Sequence, residues 1–151
     1  MWTHFMDMHS GGGNKLWRHA NGTVDDEGSS WRPREGDQPI EHLFIEADED
    51  EARAVFWNRF GRNPDRVTCT CCGNDYSLST EDDLAALTGY HRNCEYDEKA
   101  GGYVERPNKY HDAVVPLNDY LALPTVHVIR ASEITDVERK ADIPAEGYVW
   151  A

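Results

Sequence analysis

The sequence predicts an α+β domain, a small mixed sheet of about four strands with two main helices and long loops. Three observations carry that reading: strict alternation over residues 2–8, a capped stripe of apolar residues at helical spacing over 48–61, and a β-branched run over 125–130. With 151 residues, the chain fits one domain spanning 1–151. A chain of that length buries enough surface to hold a core without disulfides.

The elements follow in order. Trp2, His4, Met6 and Met8 alternate with Thr3, Phe5 and Asp7, the period of a strand. Residues 17–39 hold Gly, Ser, Asp, Pro and Arg around Trp17 and Trp31 without periodicity, which predicts a long, mobile, acidic loop. Ile40 to Glu46 reads as a strand. Asp48 then stands as an N-cap with Glu51 completing a capping box, Ala52, Val55, Phe56, Arg59 and Phe60 follow at three-to-four spacing, and Gly61 ends the helix. Arg66-Val67-Thr68 reads as a short strand. A second helix is expected after Ser79 or Thr80, carrying Leu84, Leu87, His91 and Cys94 as one stripe. Residues 95–112 read as loop, Leu117–Leu123 as a short helical turn, Thr125–Arg130 as a strand, and Tyr148-Val149-Trp150 as an apolar tail that docks.

Charge excludes several classes of function. There are 15 Lys and Arg against 28 Asp and Glu, a formal net charge of -13. Direct nucleic-acid binding by counterion release needs clustered cations, and anionic membranes repel such a surface. No apolar run reaches the length of a membrane span, and the N-terminus shows no secretion signal, so a cytoplasmic protein is expected. Between Asp25 and Glu51 lie 11 acidic residues against Arg32 and Arg34. Such density either coats a solvated face or imitates a phosphate backbone toward a basic protein surface, with exposed Trp17 and Trp31 as anchors.

All four cysteines fall between positions 69 and 94. Cys69 and Cys72 form a C-x-x-C-G knuckle, and His91 and Cys94 follow after 18 residues as H-x-x-C. Together Cys69, Cys72, His91 and Cys94 supply the four ligands of a structural zinc site over residues 66–94, with no position left for water. Cys71 is the surplus thiol and an alternative to Cys69. A solvated His91 would leave its place to another group, such as His111. Reduced buried thiols and a Cys71–Cys94 disulfide are the competing readings.

The loop after the first strand, His9-Ser10-Gly11-Gly12-Gly13-Asn14-Lys15, offers successive glycine N–H groups and a cation to an anion. It matches neither the Walker A nor the dinucleotide pattern. His9, Ser10, Gly11, Gly12, Gly13 and Lys15 are therefore candidate phosphate-binding residues, against the plainer reading of a loop whose glycines allow positive φ. His4 reads as a packed or hydrogen-bonded strand residue. Asp7 and His9 share a strand face, but no nucleophile elbow accompanies them, so enzymatic signals are weak.

Several segments resemble a group of small uncharacterised proteins encoded by tailed bacteriophages. They are Trp2-Thr3-His4-Phe5 with Asp7-Met8-His9-Ser10-Gly11-Gly12-Gly13, Phe56-Trp57-Asn58-Arg59-Phe60-Gly61 with Asn63-Pro64, and Arg66-Val67-Thr68-Cys69-Thr70-Cys71-Cys72-Gly73 with Asp75-Tyr76-Ser77. The resembling segments lie within residues 2–77, about half of the chain, and imply an accessory protein acting inside the infected bacterium, without implying a reaction. The expectation is a zinc-stabilised phage protein that binds or inhibits a host protein, such as a defence or nucleic-acid-handling enzyme. The alternative is a nucleotide- or phosphate-binding protein using the His9–Lys15 loop.

Overall fold

The computed structural model describes residues 1–8, 15–26, 35–67 and 73–143. Its largest sheet is built from β1 (Trp2–Asp7), β5 (His42–Ile45), β6 (Tyr76–Glu81) and β9 (Val126–Ile129), in the order β6-β1-β5-β9. β1 pairs antiparallel with both β6 and β5, and β5 pairs parallel with β9, so the sheet is mixed. The α+β class is as the sequence predicts.

Alternation along β1 sorts the two faces. Phe5, Leu43, Ile45, Tyr76 and Ile129 pack on one side against α1 (Glu49–Phe60), which contributes Ala52, Val55, Phe56 and Phe60. Trp2, Phe44 and Val126 pack on the other against Leu84 of α2 (Leu84–Thr88) and Tyr120 of α3 (Leu117–Leu121). Because both faces are covered, Trp2, Thr3, His4 and Phe5 are all buried.

Helix α1 forms as its sequence dictates. The Asp48 carboxylate accepts from the Glu51 N–H at 2.9 Å, and Gly61 adopts φ 66° while its N–H bonds the Trp57 carbonyl. The Glu51 carboxylate turns to Arg139 at 3.4 Å. Phe56 stacks on Phe5 with ring centroids 5.1 Å apart.

Three sequence expectations are corrected. The helix expected after Ser79 or Thr80 begins later, because Thr80 and Glu81 end β6, and it is confined to Leu84–Thr88, capped by the Asp83 carboxylate on the Ala85 N–H. Tyr76, Leu78 and Thr80 share the covered face there while Ser77, Ser79 and Glu81 are exposed, and pairing along all of β1 outweighs the acidic helix-start signal. Residues 94–107 form a hairpin, β7 (Cys94–Asp97) and β8 (Gly102–Pro107), instead of loop. Most of its residues are exposed or half-buried, so no apolar face marks it in the sequence. Within 17–39, the described residues carry β2 (Trp17–Arg18), β3 (Val24–Asp25) and β4 (Gln38–Pro39), a small sheet ordered β3-β2-β4. Trp17 is buried there rather than exposed as an anchor, while Trp31 lies outside the described residues.

Arg66 and Val67 are not in a strand, and Thr68 and the tail from 144 onward lie outside the described residues. No helix among the described residues is long and apolar enough to cross a membrane.

Candidate metal centre

Two histidines meet on the sheet. His4 lies opposite Phe44, and His42 lies opposite Met6, which makes the two histidines diagonal neighbours on one face. The His4 Nε2 and His42 Nδ1 atoms are 2.9 Å apart, within hydrogen-bond distance. His91 arrives from a different element, the 3₁₀ turn Tyr90–Arg92 that follows α2. Its ring centroid lies 4.4 Å from that of His42 and 5.7 Å from that of His4. One ring nitrogen from each of His4, His42 and His91 falls within 4.8 Å of the others.

The turn that presents His91 is anchored by its neighbour. Arg92 is buried, and its guanidinium donates to the Thr88 hydroxyl at 2.8 Å and to the Ala85 and Val115 carbonyls at 2.9 and 3.3 Å. It also meets the Glu105 carboxylate at 2.8 Å. Gly89, just before the turn, sits so close to the hairpin that a Cβ there would lie 2.3 Å from the Tyr103 Cβ. Asn93 ends the turn at φ 66°. Helix α2, the hairpin and the segment at Val115 therefore fix His91 together.

Electrostatics keep all three imidazoles neutral. Burial, with His42 and His91 close by, holds His4 down at about 3. Burial and His91 hold His42 at about 4, against an opposing pull from Asp7, and burial lowers His91. A neutral imidazole is the form that ligates a metal. The Zn–N distance places neighbouring ligand nitrogens of a tetrahedral site roughly 3.3 Å apart. His4 and His42 would therefore part by only a few tenths of an ångström, with the donor of their hydrogen bond moving its proton to its other nitrogen.

The surroundings are aromatic. Phe44 stacks on His4 with centroids 4.4 Å apart, and Tyr120 lies 6.2 Å from His42. The Tyr120 hydroxyl is buried without a hydrogen-bond partner among the described residues, and burial pushes its ionisation upward. It is a spare donor beside the cluster.

Compared with protein-family models, curated proteins and solved structures, the chain matches none of them. The site is thus read from its own chemistry.

Of the residues singled out in the sequence, His91 joins this cluster. Cys94 does not belong to it: it opens β7 as a buried thiol, free among the described residues, whose ionisation burial pushes up. Cys69 and Cys72 lie outside the described residues, as do His9, Ser10, Gly11, Gly12 and Gly13. Lys15, the cation of the glycine-rich loop, pairs with Asp7 at 3.1 Å. His4 is packed and hydrogen-bonded, as the sequence suggests, and is also part of the cluster. His42 was not indicated by the sequence patterns. The signal that finds it is parity, since His42 shares a face with Phe44 just as His4 does with Trp2, but only the strand register joins the two pairs.

Proposed function

We propose that the protein binds zinc through His4, His42 and His91, with one coordination position left for water or a ligand. The observation that supports this most directly is the convergence of three neutral ring nitrogens within 4.8 Å from three separate elements. Imidazole suits zinc among the divalent metals, and three histidines with an open fourth place are the ligand pattern of reactive rather than closed zinc sites. Tyr120, whose ring centroid lies 6.2 Å from that of His42, adds a buried hydroxyl without a hydrogen-bond partner among the described residues.

This reading competes with the cysteine knuckle for the same His91, and metal stoichiometry separates them. About one zinc per chain is expected in protein purified without added metal. Replacing His4 and His42 by Asn should abolish it, whereas replacing Cys69 and Cys72 by Ser should leave it. The reverse pattern would hand His91 to the knuckle, and metal-free wild-type protein that takes up no zinc on dialysis would end both readings.

A second role is supported by the charge. With a formal net charge of -13, the chain is suited to a cationic protein surface, in line with the phage accessory role its motifs imply. Association with a host protein that weakens steeply with salt supports it; association insensitive to salt counts against it.

A further inference from the structure

We propose that the groove beside His91 is the ligand cleft of the zinc centre, and that it takes a small organic molecule carrying an anionic oxygen donor next to an aromatic ring. The inference rests on the zinc reading above.

The groove has a volume of about 680 Å³ and runs between the Tyr90–Arg92 turn, the β7–β8 hairpin and the segment around His111. That size suits an organic molecule rather than a few waters. His91 belongs both to the groove wall and to the histidine cluster, so a molecule lying in the groove comes within reach of the ion at that ring. His42 and His91 are only half-buried, which leaves the centre unsealed.

The wall is made of aromatic faces. Tyr90 meets His91 edge-on with centroids 5.1 Å apart, and Tyr96 meets Tyr103 in the same manner at 5.3 Å. Tyr90 and Tyr110 are 69% and 78% exposed, an unusual display for large rings unless something stacks on them. These faces choose a flat ring.

The anionic group is chosen by charge. Three imidazole ligands leave the full charge of a divalent ion uncancelled, and Lys109 adds a cation at the groove, its Nζ 4.9 Å from the Tyr110 ring centroid, while the Glu95 carboxylate on the same wall is paired with Arg106. The walls are preformed: the Asn108 N–H bonds the Asn93 carbonyl at 2.9 Å, and the Val115 N–H bonds the Arg92 carbonyl at the same distance.

The test uses cobalt(II)-loaded full-length protein, whose visible bands report ligand exchange at the ion. Benzohydroxamate and acetohydroxamate share a metal-binding head and differ in the ring. The aromatic probe should bind about tenfold more tightly, the worth of one good ring contact. Tyr96→Ala and Tyr110→Ala together, neither of which touches the histidine cluster, should remove most of that advantage while leaving acetohydroxamate affinity unchanged. Both side chains are exposed, so the variant folds. Equal affinities for the two probes in wild-type protein, or a ring preference that survives both substitutions, would overturn the cleft while sparing the metal site. Absence of cobalt bands altogether would remove the zinc reading and the cleft with it.

Discussion

His127 and His19 respond to protons in opposite ways. The half-buried His127 ring accepts at Nδ1 from the Arg18 guanidinium, 3.3 Å away, and desolvation with that cation holds its ionisation at about 4. On acidification the unfolded chain takes up this proton first, so stability present above the ordinary value of 6.5 declines as pH falls toward 4. His19 sits between carboxylates, with Nε2 2.5 Å from Asp25 and Nδ1 2.9 Å from Asp37, and hydrogen bonds to both raise its ionisation. Its contribution is complete below 6.5 and is lost as pH rises through the raised folded value. Urea midpoints measured against pH, with chelator present, should therefore show His127→Gln flattening the acid limb and His19→Gln flattening the limb above 6.5. Unchanged profiles in both variants would refute these assignments. Neither environment was legible in the sequence. Arg18 and His127 are 109 positions apart, and only the folded chain sets one beside the other.

At the level of elements, the 3₁₀ turn after α2 stands or falls with Arg92. Its guanidinium holds the Ala85 and Val115 carbonyls and the Thr88 hydroxyl, while its Glu105 partner is exposed. Arg92→Met should cost about 2–4 kcal/mol in denaturant unfolding, since buried acceptors lose their donor. It should also weaken zinc about 10- to 100-fold by releasing His91, as loss of a support behind a ligand does. A variant with weakened stability but unaltered zinc affinity would show that the turn holds His91 without Arg92. Helix α1 was readable from end to end because its cap, stripe and terminal glycine are local signals. The end of the predicted second helix was not. Its stripe of Leu84, Leu87, His91 and Cys94 continues through residues that the chain places in a helix, a 3₁₀ turn and a strand. Periodicity counts spacing and is blind to the tertiary anchor that breaks the helix at Gly89, where Tyr103 leaves no room for a side chain.

For the molecule as a whole, an ion that binds only the folded chain raises the free energy of unfolding. At a zinc concentration 100 times the Kd the gain is about 2.7 kcal/mol, which for a chain of this size raises Tm by roughly 5–10 °C. Calorimetry with zinc against chelator should show that rise in wild-type protein and none in His42→Asn. An equal rise in both would place the stabilising ion elsewhere. The fold class was legible because it depends on a few strong local patterns. The centre was not, because spacing drew attention to the cysteines, whereas its three histidines come from distant stretches and share no motif.

The position of β1 has a consequence for synthesis. Of the four strands in the largest sheet, the earliest in the chain lies in the interior, and its neighbours on either side are made much later. While the chain emerges from a ribosome, Trp2–Asp7 has neither border until His42–Ile45 and then Tyr76–Glu81 appear, and its apolar side chains stay exposed in the interval. The ion has a longer wait, since its third ligand is translated only at position 91. Zinc capture by a nascent chain would therefore mark the moment at which both borders of the first strand have been closed.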